Sequence, residues 1–166
     1  MNKTNKIKYS LDKDLIQKTF YDKFKNNIIK TINSDDPNIN WIVDLYKEIK
    51  NKMISLLKVN SELYNEIDEY MDTCLFKQMI THKAHTSDDI VKLIYYVFHI
   101  CKKLGSPSQD KVIDKKLDEI KSLLQKENID IGNIVATFII YANESLDKIY
   151  EQLHLFLNNI PVSKEQ

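Results

Sequence analysis

The feature that most constrains this chain is its scarcity of breaks: two glycines and three prolines in 166 residues. Tight hairpins and phosphate-cradling loops depend on glycine, so neither has the material it needs here. Between the breaks, apolar residues recur at helical spacing and nowhere alternate with period two. The first segment, roughly 11–32, carries Ile16, Phe20, Phe24 and Ile28 at intervals of four, with Ser10 as its candidate cap. A second opens at Asp36-Pro37, a cap followed by proline at the first helical position, and carries Ile39, Ile42, Tyr46, Ile49, Met53 and Leu56. After Asn60-Ser61 comes a third, with Leu63, Ile67, Tyr70, Cys74 and, as a further candidate, Leu75 inward; a fresh turn starting at Asp72 and splitting the segment is the alternative. Thr86 with Asp89 suggests a capping box for a fourth, bearing Ile90, Ile94, Val97, Cys101 and Leu104 and closed by Gly105 in a left-handed terminal position. Ser106-Pro107-Ser108-Gln109 reads as the start of a fifth with Ile113, Leu117, Ile120 and Leu124. The last, about 130–158 by the same periodicity, carries Val135, Phe138, Ile149, Leu153 and Phe156 and stops before Pro161.

The expected fold is therefore all-α: one antiparallel helical bundle of about six helices closed by a long C-terminal helix. Residues 1–10 are expected to be a flexible basic N-terminus, 11–160 the helical domain and 161–166 a flexible tail. Strand content should be near zero.

Charge narrows the function classes. Lysine supplies all 24 basic residues, with no arginine, and 24 acidic residues balance them to zero net charge. Nucleic-acid and anionic-membrane binders draw their affinity from basic charge, and arginine provides the fork that grips phosphate and guanine. Neither partner is expected. Within residues 1–30, Lys3, Lys6, Lys8, Lys13, Lys18, Lys23, Lys25 and Lys30 do face only Asp12, Asp14 and Asp22, which reads as a solvated lysine-rich helix. Cys74 and Cys101 have no metal or redox spacing and are expected to pack as small buried hydrophobes in a reducing compartment. No apolar signal core or membrane-length run is present, so a cytoplasmic location is expected, with nuclear or virion-packaged locations as the alternatives. The bias toward Ile, Asn, Lys and Tyr over Arg points to an AT-rich genome, without bearing on chemistry.

Catalytic constellations are harder to find. His82 and His85 stand three apart and are the candidate metal ligands, yet no neighbouring ligand completes the set, so polar surface is the reading and no metal or cofactor is expected. Within YYVFHIC, His99 reads as a partly buried, hydrogen-bonded histidine. The acidic run Glu62, Glu66, Asp68, Glu69 and Asp72 lacks the turn glycine of a calcium loop and reads as a solvated face. Ser55 and both cysteines lie in apparent helices without a glycine elbow, leaving no nucleophile with an oxyanion site. Trp41, Tyr95 and Tyr96 are the possible interface anchors, weighed against packed aromatics whose polar tips reach solvent.

Two consecutive stretches carry a family pattern. LYKEIKNKMISLL supplies Leu45, Lys47, Glu48, Ile49, Lys50, Ser55, Leu56 and Leu57, and LYNEIDEYMDTCLFKQ supplies Leu63, Ile67, Glu69, Asp72, Leu75, Lys77 and Gln78. Their order and separation resemble the t-complex protein eleven family, with His82 where that family often has a histidine. Leu104, Pro107 and Asp110 resemble its next junction, while Gly105 and Gln109 stand where the family has Cys and Arg. The resemblance implies a helical protein without recognised catalytic residues, linked to signal transduction through cyclic AMP and protein kinase A and to sperm function. Members tend to run well beyond this length.

The expected function is a non-enzymatic regulatory or adaptor module that binds another protein. A structural or assembly component of a large virus particle is the alternative, and a metal-dependent enzyme using His82, His85 or the acidic run ranks below both. For Asp72, Lys77, Gln78 and Asp110 two roles stand side by side: a polar contact patch, or helix-end anchors with Asp72 and Asp110 accepting backbone N–H bonds.

Overall fold

With so few breaks, the chain forms long helices. The computed structural model describes residues 3–34, 38–82 and 87–160. Seven α-helices lie within them: α1 (Lys3–Asn33), α2 (Asn40–Ile54), α3 (Glu62–Tyr70), α4 (Thr73–Thr81), α5 (Ser87–Leu104), α6 (Asp110–Leu124) and α7 (Ile131–Asn158), with a 3-10 turn over Pro107–Gln109. No strand occurs among the described residues. The count exceeds the expected six because the third segment does split at Asp72. Its carboxylate accepts from the N–H groups of Cys74 (2.7 Å) and Leu75 (3.0 Å) and caps α4.

α7 is the axis of the bundle. From Ile134 to Ile140 every side chain is buried, so these two turns have no solvent face. α1, α2, α5 and α6 all pack against it. α1 runs antiparallel to α7: Asn33 Nδ2 donates to the α7 cap Asp130 (3.0 Å), and farther back the Tyr21 phenol is raised by burial and by the nearby Glu144 charge. The Asn33 side chain packs directly on Gly132, where a Cβ would sit 2.7 Å from Asn33 Oδ1. Lys52 ties α2 to α7 through Asn143 and Asp147, each at 3.0 Å, while the Tyr150 hydroxyl donates to the Lys52 carbonyl at 2.7 Å.

The interior follows the predicted stripes in most places. Ile42, Tyr46, Ile49 and Met53 on α2 are fully buried, as are Ile67, Val97, Cys101, Ile120 and Leu146 on the other helices. The first stripe departs from expectation. Ile28 is buried, but Phe24, Ile16 and Phe20 are 38%, 56% and 71% exposed. Steps of four residues drift by about 40° around a 3.6-residue helix, so an i, i+4 series turns off the buried face.

Several local expectations are corrected. α1 begins at Lys3, inside the stretch expected to be flexible, because nothing before residue 11 breaks a helix; Ser10 lies within it and does not cap it. The expected cap at Asp36-Pro37 and the tail 161–166 lie outside the described residues, as does Thr86. Gly105 does not adopt a positive φ, and the one described non-glycine residue that does is Asn60, at 61°. A Cβ on Gly105 would meet the Cys101 carbonyl at 3.1 Å and Ile149 at 3.2 Å, so close packing explains its smallness. Cys74 and Tyr70 are exposed, although their spacing pointed inward, and His99, expected to be partly buried, is exposed too, while Cys101 is buried. Leu153 and Phe156, read as inward, are 41% and 66% exposed because α2 and the α5–Gly105 junction end beside Tyr150 and Ile149.

Candidate functional site

The two motif stretches fold onto α2, α3 and α4 and divide by polarity. Ile49 and Ile67 are buried, and Leu45, Leu56, Leu57 and Leu63 pack against the core while partly exposed. The polar positions stay outside. Lys47 pairs with Asp44 (3.7 Å) and Glu48 with Lys52 (3.7 Å), both within α2. Lys50 reaches across to α3, where its ammonium meets the Asp68 carboxylate at 2.9 Å and the Asp68 carbonyl at 2.8 Å. That second bond satisfies a carbonyl near the end of a short helix, where intrahelical donors run out.

Beyond these pairs lies a residue set that the fold leaves unused. Glu69, Lys77 and Gln78 are exposed, and none forms a side-chain hydrogen bond or ion pair among the described residues. Leu75, on α4 one turn before Gln78, is 48% exposed. The structure brings Lys47 of α2 and Lys77 of α4 into one hollow of about 220 Å³, together with Asn40, Val43, Asp44, Thr73 and Cys74. Two ammonium groups around a shallow, open cleft suit a carboxylate-bearing surface, and Lys77 is the one without a counterion among the described residues. Sequence reasoning missed Asp44, Thr73 and Cys74 as walls of this hollow. Asp44, three residues before Lys47, carried the one available local signal, since i, i+3 charges are neighbours on a helix.

The other candidates are dispersed. Pro107 is exposed at the head of the 3-10 turn, which Ser106 caps by accepting from Ser108 N–H at 3.3 Å. Asp110 was expected to accept a backbone N–H, and it does not. The 3-10 turn runs straight into α6, placing Asp110 inside the helix with its own N–H bonded to the Pro107 carbonyl, and its buried Oδ1 has no partner. Trp41 is half-buried at the start of α2, edge-on to Phe24 with ring centroids 6.5 Å apart. Tyr95 is 40% exposed, with the Lys121 ammonium 5.3 Å from its ring centre. Tyr96 stacks on Tyr70 and donates to Glu66 (3.1 Å), and burial followed by that bond raises its phenol well above the ordinary range. A similar contact joins the Tyr141 hydroxyl to Glu119 beside the Lys116–Glu144 ion pair (2.8 Å).

His82 forms the C-terminal cap of α4, its N–H bonded to the Gln78 carbonyl at 2.9 Å; His85 lies outside the described residues. Among the described residues, no group of three His, Cys, Asp or Glu is placed to hold a metal ion. Nor is any described helix long and apolar enough to cross a membrane.

An all-α bundle bearing these motif stretches on α2, α3 and α4 has known relatives. The family model for T-complex protein 11 matches residues 1–154, and the chain belongs to that family. T-complex protein 11-like X-linked proteins 1 and 2 of Homo sapiens are each 32% identical over 106 residues, covering 63% of this chain and 20% of theirs. T-complex protein 11 homolog of Homo sapiens is 28% identical over 104 residues, covering 60% of this chain and 20% of its own. The matched region thus spans about a fifth of these curated relatives. No solved structure matches.

Proposed function

We propose that the chain is a non-enzymatic regulatory or adaptor module that binds another protein through the exposed face of α2–α4. One observation carries this reading: Lys47 of α2 and Lys77 of α4, both polar positions of the motif, share one hollow, and Lys77, like Glu69 and Gln78, has no side-chain partner among the described residues, with exposed Leu75 one turn before Gln78. Surface groups that the fold does not use are free to serve recognition, and half-exposed Leu75 supplies apolar contact area. The lysine pair around the hollow favours an acidic segment of the partner. The family's association with cyclic-AMP and protein-kinase-A signalling supports a regulatory setting.

The test is affinity capture from the native source with the wild-type chain and the Lys47→Glu/Lys77→Glu variant, with circular dichroism checking the fold of both. Loss of a specific partner from a folded variant supports the reading. An unchanged set of partners removes this face from it. Stoichiometric recovery of particle proteins would favour a structural component instead.

A further inference from the structure

The hollow between α2 and α4 holds more positive charge than its own acid neutralises. Its charged walls are Lys47, Lys77 and Asp44, alongside the Asn40 amide, the Thr73 hydroxyl and the Cys74 thiol. Asp44 lies 3.7 Å from the Lys47 ammonium with both side chains exposed, a geometry in which an ion pair contributes little. Lys77 has no counterion among the described residues. Asp72, next to Thr73 in sequence, does not supply one, because its carboxylate is turned to the Cys74 and Leu75 N–H groups. The Thr73 hydroxyl and the Asn40 amide likewise have no side-chain hydrogen bond among the described residues. Two ammonium groups, a hydroxyl and an amide thus line one opening of about 220 Å³, with a single loosely held carboxylate among them.

We propose that the acidic group received here is a phosphate, carried on a phosphorylated serine or threonine of the protein partner. The inference rests on the α2–α4 contact face argued above and names what that face reads. Charge selects phosphate over carboxylate. A partner carboxylate has the same single charge as Asp44, so it gains little by taking Lys47 from that residue and needs Lys77 alone. A phosphorylated side chain carries about −1.5 to −2 at neutral pH and three acceptor oxygens, enough to engage both ammonium groups and the Thr73 hydroxyl together. Lysine binds phosphate as a point charge, without the guanidinium fork that this chain lacks. Asp44 is then an internal competitor, which the incoming phosphate displaces from Lys47.

The test is an NMR titration of the isotopically labelled full chain with three peptides identical but for one central residue: phosphoserine, glutamate or serine. The phosphopeptide should shift the amide signals of Lys47, Thr73 and Lys77 and slow alkylation of Cys74 by iodoacetamide, while the serine peptide does neither. Lys47→Gln and Lys77→Gln should each weaken the phosphopeptide roughly two- to fivefold, and Asp44→Asn should tighten it by a similar factor, all three keeping the wild-type urea midpoint. A phosphopeptide that shifts no signal at the hollow overturns the proposal. So does a glutamate peptide that binds as tightly, or a loss confined to Lys77→Gln, either of which assigns the hollow to a carboxylate. Phosphatidic acid vesicles that bind the wild type and neither lysine variant would assign it to a lipid headgroup and overturn it as well. Capture from the native source after phosphatase treatment separates this inference from the reading beneath it. A partner that Lys47→Glu/Lys77→Glu loses and phosphatase leaves bound overturns the phosphate while the contact face stands; capture indifferent to both removes the face itself.

Discussion

Tyr46 of α2 lies flat against Phe76 of α4, ring centroids 4.0 Å apart and planes 12° from parallel. Both side chains are essentially unexposed, so this stack joins the two helices that carry the candidate contact face. Removing either ring leaves a cavity that short α4, one nine-residue helix, is poorly placed to fill. Tyr46→Ala and Phe76→Ala should each cost about 3–5 kcal/mol in urea unfolding, with non-additive losses in the double variant because the rings share one contact.

Asp72 should act on stability and binding through different routes. Its carboxylate caps α4, so Asp72→Ala is expected to cost about 1 kcal/mol and Asp72→Asn much less. Lys77→Ala, which removes no described side-chain bond, should leave the urea midpoint within about 0.5 kcal/mol of wild type. Binding loss in Lys77→Ala at full stability would place recognition on the exposed face.

The first helix offers a within-element control. Ile28→Ala should cost about 2–5 kcal/mol, whereas Phe20→Lys, at a position 71% exposed, should fall within about 0.5 kcal/mol of neutral. Equal losses at both positions, measured by thermal or urea unfolding, would mean that the whole i, i+4 stripe is buried in solution.

Cys101 sets an alkaline limit. Burial pushes its thiol up to about 12 from an ordinary value of 9.0, with Lys116 offsetting part of the shift. A raised folded-state pKa means that the native state holds its proton longer than the unfolded chain, so this contribution is fully present below pH 9 and is lost as pH rises toward 12. Buried Tyr46, whose phenol is also held high by burial and then by the Asp72 charge, adds to the same decline above pH 10. The urea midpoint should fall through this window, and less steeply in Cys101→Ala once its lower starting stability is taken into account. Iodoacetamide at neutral pH should label exposed Cys74 in the native protein and Cys101 only after unfolding.

What could be read before the structure, and what could not, follows from the range of each interaction. The α2 stripe from Ile39 through Met53 is buried as its spacing implied, because a 3.6-residue period reports which residues share a face. Asp72 was legible as a possible helix start, since a cap acts within three residues. Phe156 and Phe20 fit inward stripes, yet they are exposed because burial depends on how far the neighbouring helices extend. The hollow shared by Lys47 and Lys77 was illegible for the same reason: α2 and α4 are brought together by the Tyr46–Phe76 stack, a contact that no local pattern announces.

The position of α7 at the axis has a consequence for how the chain comes to be folded. This helix follows α1–α6 in the chain, yet α1, α2, α5 and α6 all pack against it. Pairs such as α2 with α4 and α5 with α6 can meet before it emerges, whereas the pairing of α1 with α7 must close a loop over most of the residues between them. The faces of α1, α2, α5 and α6 that meet α7 therefore stay open until Ile134–Ile140 is synthesised, and cooperative folding of the bundle waits on that segment.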